Sequence, residues 1–178
     1  TNGWYTEKDF NSDISLEETS GTSGTSFLCA KSKNERSYLA LNLWKARLKI
    51  DPFITMQNFF QFSHIGRGQN NPMAYCYKFE HLFSLYSYIN LKKIRWLHSA
   101  PGPLLKHINV LKNVYPNMKL PFLKYIETTG TYLSDKDREI IESYFNVKVI
   151  NQYGCVETWP IGLSISGNIF NIIEKNVY

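Results

Sequence analysis

From residue 94 onward, short runs with β-strand character alternate with amphipathic helical stretches, and this alternation leaves few folds open to the chain. Residues 94–97 read as a strand, and residues 101–115 as a helix that buries Leu104, Leu105, Ile108, Leu111 and Val114. Residues 123–128 are the next strand. Ser134 then caps a helix with Asp135 and Asp137 in its first turn and a buried stripe of Ile140, Ile141, Tyr144 and Phe145. Residues 147–151 form a third strand. Strands separated by single helices and short connections are joined by right-handed crossovers, so the expected class is α/β with a parallel sheet built from βαβ units. Ligands of such sheets bind outside the carboxyl ends of the strands, which puts residues 128–131 and 152–157 on one rim.

The first half is less regular. Residues 1–18 are polar with isolated aromatics and no lasting period, and read as a surface approach segment. A helix is expected from Asn34, with Leu39, Leu43, Ala46 and Ile50 on one stripe and Leu41, Trp44 and Leu48 beside it, closed by Asp51-Pro52. Residues 53–71 carry no clear period. Met73, Tyr75, Tyr77 and Phe79 alternate as in a strand, residues 81–89 suit a short helix, and residues 168–173 are strand-like.

Composition narrows the class further. With 178 residues, 43% hydrophobic and 15% aromatic, the chain has material for about one domain with a core and is unlike a disordered one. No apolar run reaches the roughly 18 residues that a membrane span requires. Cys29, Cys76 and Cys155 are odd in number and far apart, which supports neither a disulfide framework nor a zinc site and suggests a reducing, cytoplasmic setting. The net charge of +5 comes from Lys and Arg interleaved with Asp and Glu, so no nucleic-acid surface is indicated. His64, His81, His98 and His107 have no metal-ligand spacing and are expected to face solvent or to be hydrogen-bonded locally; His98, just past a strand, is also placed to line a pocket. Cys155 lacks a neighbouring base and is taken as a packing residue.

Two segments carry chemistry. Thr19-Ser20-Gly21-Thr22-Ser23-Gly24-Thr25-Ser26 has the composition of a phosphate-gripping loop, in which glycines admit an anion to the backbone and hydroxyls supply donors. Asn151-Gln152-Tyr153-Gly154-Cys155-Val156-Glu157 offers an aromatic plane, a glycine and a carboxylate able to hold Mg²⁺. Alone, the first is an ordinary flexible connection and the second an ordinary turn.

Taken in this order, with strand–helix units between them, the two segments resemble the adenylate-forming (AMP-binding) superfamily, most closely its phenylacetate-CoA ligase and capsule-biosynthesis branch. The first is similar to that family's Ser/Thr/Gly phosphate loop. Ile126-Glu127-Thr128-Thr129-Gly130-Thr131 is similar to the segment beside its adenine site, and residues 153–157 to its Tyr-Gly-x-Thr-Glu motif. The resemblance implies an incomplete N-terminal adenylation domain of a ligase that uses ATP and Mg²⁺ to activate a small-molecule carboxylate as an acyl-adenylate, then passes it to coenzyme A or another acceptor. It implies that Thr19, Ser20, Gly21, Thr22, Ser23 and Gly24 grip the phosphates, that Thr129, Gly130, Gln152, Tyr153 and Gly154 frame the nucleotide, and that Glu157 holds Mg²⁺. Thr22 and Glu157 are the catalytic candidates. The chain departs from the family pattern at Val156, where a hydroxyl residue is usual, at Thr131, where Glu is common, and at Ser26-Phe27, where Pro or Lys is. These departures favour the alternative of a non-catalytic, nucleotide-binding relative. The family's later Asp and its lysine-bearing C-terminal domain have no counterpart within these residues, so the 178-residue piece alone is expected to be inactive.

Overall fold

The computed structural model describes residues 14–18, 28–62, 77–167 and 169–176. The Gly/Ser/Thr run, residues 1–13 and residues 63–76, with Cys76 and His64 among them, lie outside the described residues.

The expected alternation is present. Strands β3 (Phe59–Gln61), β4 (Trp96–Ser99), β5 (Tyr125–Thr128) and β6 (Lys148–Cys155) pair in parallel in that order. Two antiparallel strands, β7 (Trp159–Ser164) and β8 (Asn171–Ile172), extend the sheet to six. Between the parallel strands run α2 (Phe79–Leu91), α3 (Pro101–Leu111) and α4 (Asp135–Phe145). Ahead of the sheet, β1 (Ile14–Glu18) and β2 (Leu28–Ser32) form a separate antiparallel pair that feeds directly into α1 (Lys33–Ile50).

Because side chains alternate across a strand, the sheet divides the core in two. Phe60, Leu97, Ile126 and Val149 face the helical layer, where Leu82, Leu85, Leu104, Ile108, Leu111, Ile141 and Phe145 complete one cluster. Trp96, Ile150, Leu163 and Ile173 belong to the second cluster, where Leu43, Trp44, Ala46 and Ile50 of α1 pack against them. Local signals set the helix ends. The Ser32 hydroxyl accepts from the Glu35 amide at 3.1 Å, and that of Ser134 from the Asp137 amide at 3.1 Å, each satisfying an otherwise unpaired first-turn N–H. Asn146 ends α4 in the left-handed region at φ 51°, which an Asn tolerates better than most residues.

Several expectations need correction. Residues 14–18 are a strand, because their pairing partner is supplied by β2 rather than by any local period. Phe79 opens α2 instead of ending a strand. β6 continues past Asn151 to Cys155 by turning back on β7, and only residues 171–172 of the last run are strand. α3 stops at Leu111, leaving Val114 60% exposed. Ile140, Leu41 and Leu48 are exposed, whereas α1 buries Asn42 and Arg47. No helix among the described residues is long and apolar enough to cross a membrane.

Arg47 is buried because it meets Glu127, itself fully buried in the middle of the sheet. An ion pair of this kind holds α1 against the sheet, and breaking it from one side strands a charge in the interior. Arg47→Met is expected to lower the unfolding free energy by about 3–5 kcal/mol in urea titrations. Adding Glu127→Met to it should recover a large part of that loss.

Candidate functional site

The carboxyl ends of the parallel strands open on the α1 side into a cleft of about 910 Å³. Its apolar walls are Leu43 and Trp44 of α1 with Met56 and Phe59, and Arg47 in the same lining is paired with the buried carboxylate of Glu127. Arg47 grips that carboxylate with two hydrogen bonds, Nε to Oε2 at 2.7 Å and Nη2 to Oε1 at 2.9 Å. Trp96 Nε1 donates to Oε2 at 2.8 Å. The guanidinium also lies over the rings of Phe59, at 4.6 Å, and Trp44, at 5.2 Å. Burial acts to raise the Glu127 pKa, but the Arg47 charge, that of a protonated His98 and the hydrogen bonds from Arg47 and Trp96 outweigh it, so the carboxyl titrates below its ordinary value of 4.5.

His98 stands in the same wall, with Nε2 3.9 Å from Oε1 of Glu127. Both ring nitrogens are buried and have no hydrogen-bond partner. This corrects the expectation of a solvent-facing or locally bonded ring, which His107 does meet through the Tyr86 hydroxyl at 2.9 Å. Burial, aided by the Arg47 charge, lowers the His98 pKa against the pull of Glu127, so the ring is neutral near pH 7.

The rim of the cleft is built from strand ends. The Thr129 amide donates to the Ser99 carbonyl at 3.3 Å, tying β5 to β4 just past both strands. Gln152 Nε2 donates to Thr129 Oγ1 at 3.1 Å, and its Oε1 is buried with no partner. Gly130 follows at φ 85°, a conformation that favours glycine. Thr129, Gly130, Gln152, Gly154 and Glu157, read from sequence as one site, thus line one cleft. Tyr153 does not; it is 59% exposed, and its ring packs against Phe170 at 5.8 Å. Gly154 is required by close approach: a Cβ there would lie 2.2 Å from the Trp159 carbonyl oxygen, where the register between β6 and β7 shifts.

A staple joins the rim to the β1–β2 hairpin, whose strands flank the Gly/Ser/Thr run with Glu18 opposite Leu28. Buried Lys31 donates to the Val156 carbonyl, to Glu17 Oε2 at 3.3 Å and to Cys29 Sγ at 3.2 Å. Trp159 Nε1 donates to the same Glu17 oxygen at 2.8 Å. The hairpin is therefore bonded to both sides of the turn that carries Glu157. The Glu157 carboxyl is exposed and held below its ordinary pKa, first by a hydrogen bond with Cys155, then by its own backbone amide and the Lys31 charge. Cys155 is exposed rather than packed, with Sγ 3.1 Å from Thr158 Oγ1. No group of three or more His, Cys, Asp or Glu able to hold a metal occurs among the described residues.

Sequence reasoning missed Glu17, Lys31, Arg47, Glu127 and Trp159 as parts of this site. A signal was present for two of them. Arg47 follows Ala46 on the inner side of an otherwise apolar stripe, and Glu127 interrupts a strand that is buried on both faces; charges in such places need partners.

Both pKa shifts make stability fall with acidity. The unfolded chain takes up a proton at His98 before the native state does, so stability declines as pH falls below about 6.5; it declines again below about 4.5, as the Glu127 carboxylate is protonated. In denaturant titrations across pH 8 to 3, His98→Asn is expected to flatten the upper decline and Glu127→Gln the lower one.

No family model and no curated protein sequence matches the chain. Solved structures do match. They include the N-terminal domain of FACL13 from Mycobacterium tuberculosis, with a TM-score of 0.61 and 16% identity over 85% of this chain and 39% of that one. The adenylation domain AlmE of Vibrio cholerae, solved with glycyl-adenosine-5'-phosphate, matches with a TM-score of 0.56 and 16% identity over 88% and 31%. A long-chain-fatty-acid-CoA ligase, FadD1, from Archaeoglobus fulgidus matches with a TM-score of 0.61 and 14% identity over 90% and 34%. The chain spans well under half the length of these structures. Its mixed α/β architecture, with a six-stranded and largely parallel sheet, is the fold of part of the FACL13 N-terminal domain and of FadD1.

Proposed function

We propose that the chain is part of an ATP-dependent, adenylate-forming ligase that activates a small-molecule carboxylate in the cytoplasm and passes it to coenzyme A or another acceptor. The observation that carries this reading is the assembly, at one parallel-sheet rim, of the Gln152–Thr129 pair, Gly130, Gly154 and Glu157. The FACL13 and FadD1 likenesses support the ligase class. The motif likeness to the phenylacetate-CoA ligase branch is the basis for the acid–thiol type.

The residues present fit a nucleotide and a cation. Gln152 Oε1 is a buried acceptor without a donor, which the amino group of a purine would supply. Glu157 remains ionised at neutral pH and is one carboxylate rather than a cage, the pattern of a Mg²⁺ held jointly by protein and phosphate. Bound ATP supplies an electrophilic α-phosphate with pyrophosphate as leaving group. The chain's own contribution is to hold charge and orientation: Thr19, Ser20, Gly21, Thr22, Ser23 and Gly24 present donors to phosphate, and Thr129 and Gln152 fix the base, whereas Tyr153, turned onto Phe170 outside the cleft, takes no part in holding it. Lys31 holds the Val156 carbonyl, so the turn bearing Glu157 stays in place. Val156 and Thr131 favour a second reading, a nucleotide-binding relative without catalysis.

Calorimetric titration with ATP and Mg²⁺ tests the proposal. The expected result is magnesium-dependent binding, weakened at least about tenfold by Glu157→Ala and by Gly21→Val, since a charge-assisted contact is worth about 1.5–3 kcal/mol. Binding indifferent to both changes would remove the two motifs from the nucleotide site.

A further inference from the structure

Among the described residues, six buried side-chain polar atoms have no hydrogen-bond partner, and three of them belong to residues of one cleft: His98 Nδ1, His98 Nε2 and Gln152 Oε1. Native interiors leave few such atoms unpaired, so three around one cavity mark where a ligand's polar atoms belong. Gln152 lies at the rim and His98 farther in, between the aromatic wall and the Arg47–Glu127 pair.

The surroundings of His98 restrict what can partner it. Phe59 lies beside the imidazole, with ring centroids 6.3 Å apart and planes inclined by 27°, and Trp44 meets Phe59 edge-on at 5.3 Å. Leu43 and Met56 continue the wall, so the body of an occupant is apolar. Arg47, also in the lining, is neutralised by the buried Glu127, to which Trp96 donates in turn. A charged tail would find no free counter-charge at this depth. A plain hydrocarbon would leave both ring nitrogens as unpaired as they are without it, and so would gain nothing from them.

We propose that the acid activated at this site carries an uncharged hydrogen-bonding group, a hydroxyl being the simplest, on an apolar ring or short chain, and that His98 selects it. The inference rests on the adenylate-forming reading above. It deepens that reading by naming the substrate class and the side chain that discriminates. A hydroxyl suits a neutral imidazole in either tautomer, because it donates to one ring nitrogen or accepts from the other. The burial-lowered pKa of His98 keeps the ring in that neutral form.

The test measures acid binding by the full chain through tryptophan fluorescence, since Trp44 and Trp159 line the cleft. Two matched pairs serve as probes: 4-hydroxybenzoate with benzoate, and 6-hydroxyhexanoate with hexanoate. In at least one pair the hydroxylated acid is expected to bind about tenfold more tightly or better, as sites that hydrogen-bond a substrate hydroxyl reject the analogue lacking it. His98→Leu should abolish that preference, and His98→Asn, which keeps a donor and an acceptor, should restore part of it. Thermal melts of both variants separate this effect from loss of fold. Equal binding within both pairs, no binding of any of the four acids, or a preference that survives His98→Leu would overturn the inference. Calorimetry with ATP and Mg²⁺ on the same sample keeps the two readings apart. Nucleotide binding without discrimination between acids sinks only the substrate class, whereas discrimination without nucleotide binding removes the adenylating reading and leaves the acid site.

Discussion

A carboxylate buried in the middle of a parallel sheet is costly unless its charge and lone pairs are met, and Glu127 is such a group. Arg47 supplies two hydrogen bonds and the opposite charge, and Trp96 a third donor. These contacts reach across from an N-terminal helix to two neighbouring strands, so α1 can pack in only one place along the sheet. The cleft exists because of that placement: Leu43, Trp44 and Arg47 of α1 all stand in its lining. Two apolar side chains would fill the same volume at comparable stability. The charged version also fixes register and leaves a polar surface beside His98.

The second constraint is the staple between the β1–β2 hairpin and the turn after β6. Lys31 and Glu17 pair diagonally across the hairpin and together hold the Val156 carbonyl and the Trp159 indole. More than a hundred residues separate these partners in sequence. Their contact brings the strands that flank the Gly/Ser/Thr run to the edge of the cleft that contains Glu157, with Glu17 itself in the lining. Two segments that are ordinary when read alone become parts of one arrangement. The rim between them is tightened by small devices: the Thr129 amide on Ser99, Gln152 on Thr129, and a glycine at 154 where no Cβ would fit.

Polarity is graded along the cleft. The mouth holds an ionised Glu157, the rim carries neutral donors and acceptors, the walls are aromatic, and an Arg47 neutralised by the buried Glu127 stands in the lining with an uncharged imidazole. Such a gradient suits a ligand whose charged end meets Glu157 through a shared cation and whose body is apolar and tip weakly polar. Arg47 and Glu127 balance in charge, so electrostatic attraction acts chiefly near the mouth, while discrimination depends on shape and on hydrogen bonds made away from water.

The strand–helix alternation from Ile94 to Asn151 was legible because it rests on local periods and caps, and these directly encode βαβ units and hence a strand-end rim. Thr129 and Gly130 were placed on the rim for the same reason, since they stand just past β5, and Gln152 and Glu157 were placed with them although β6 runs on through Cys155. The extension of β6 through Tyr153 and Gly154 was not legible. A strand paired with a following hairpin partner takes its length from that partner, and Trp159–Ser164 has no alternation of its own that marks it in sequence. The strand at Ile14–Glu18 was hidden likewise, since only pairing with Leu28–Ser32 makes it one. Tertiary structure alone decided that Arg47 and Glu127, 80 residues apart, would meet, that Lys31 would grip the Val156 carbonyl, and that His98 would be buried without a partner. Local sequence specifies periodicity and caps through short-range sterics and burial, whereas the partner of a buried charge is known only once distant elements have packed around it.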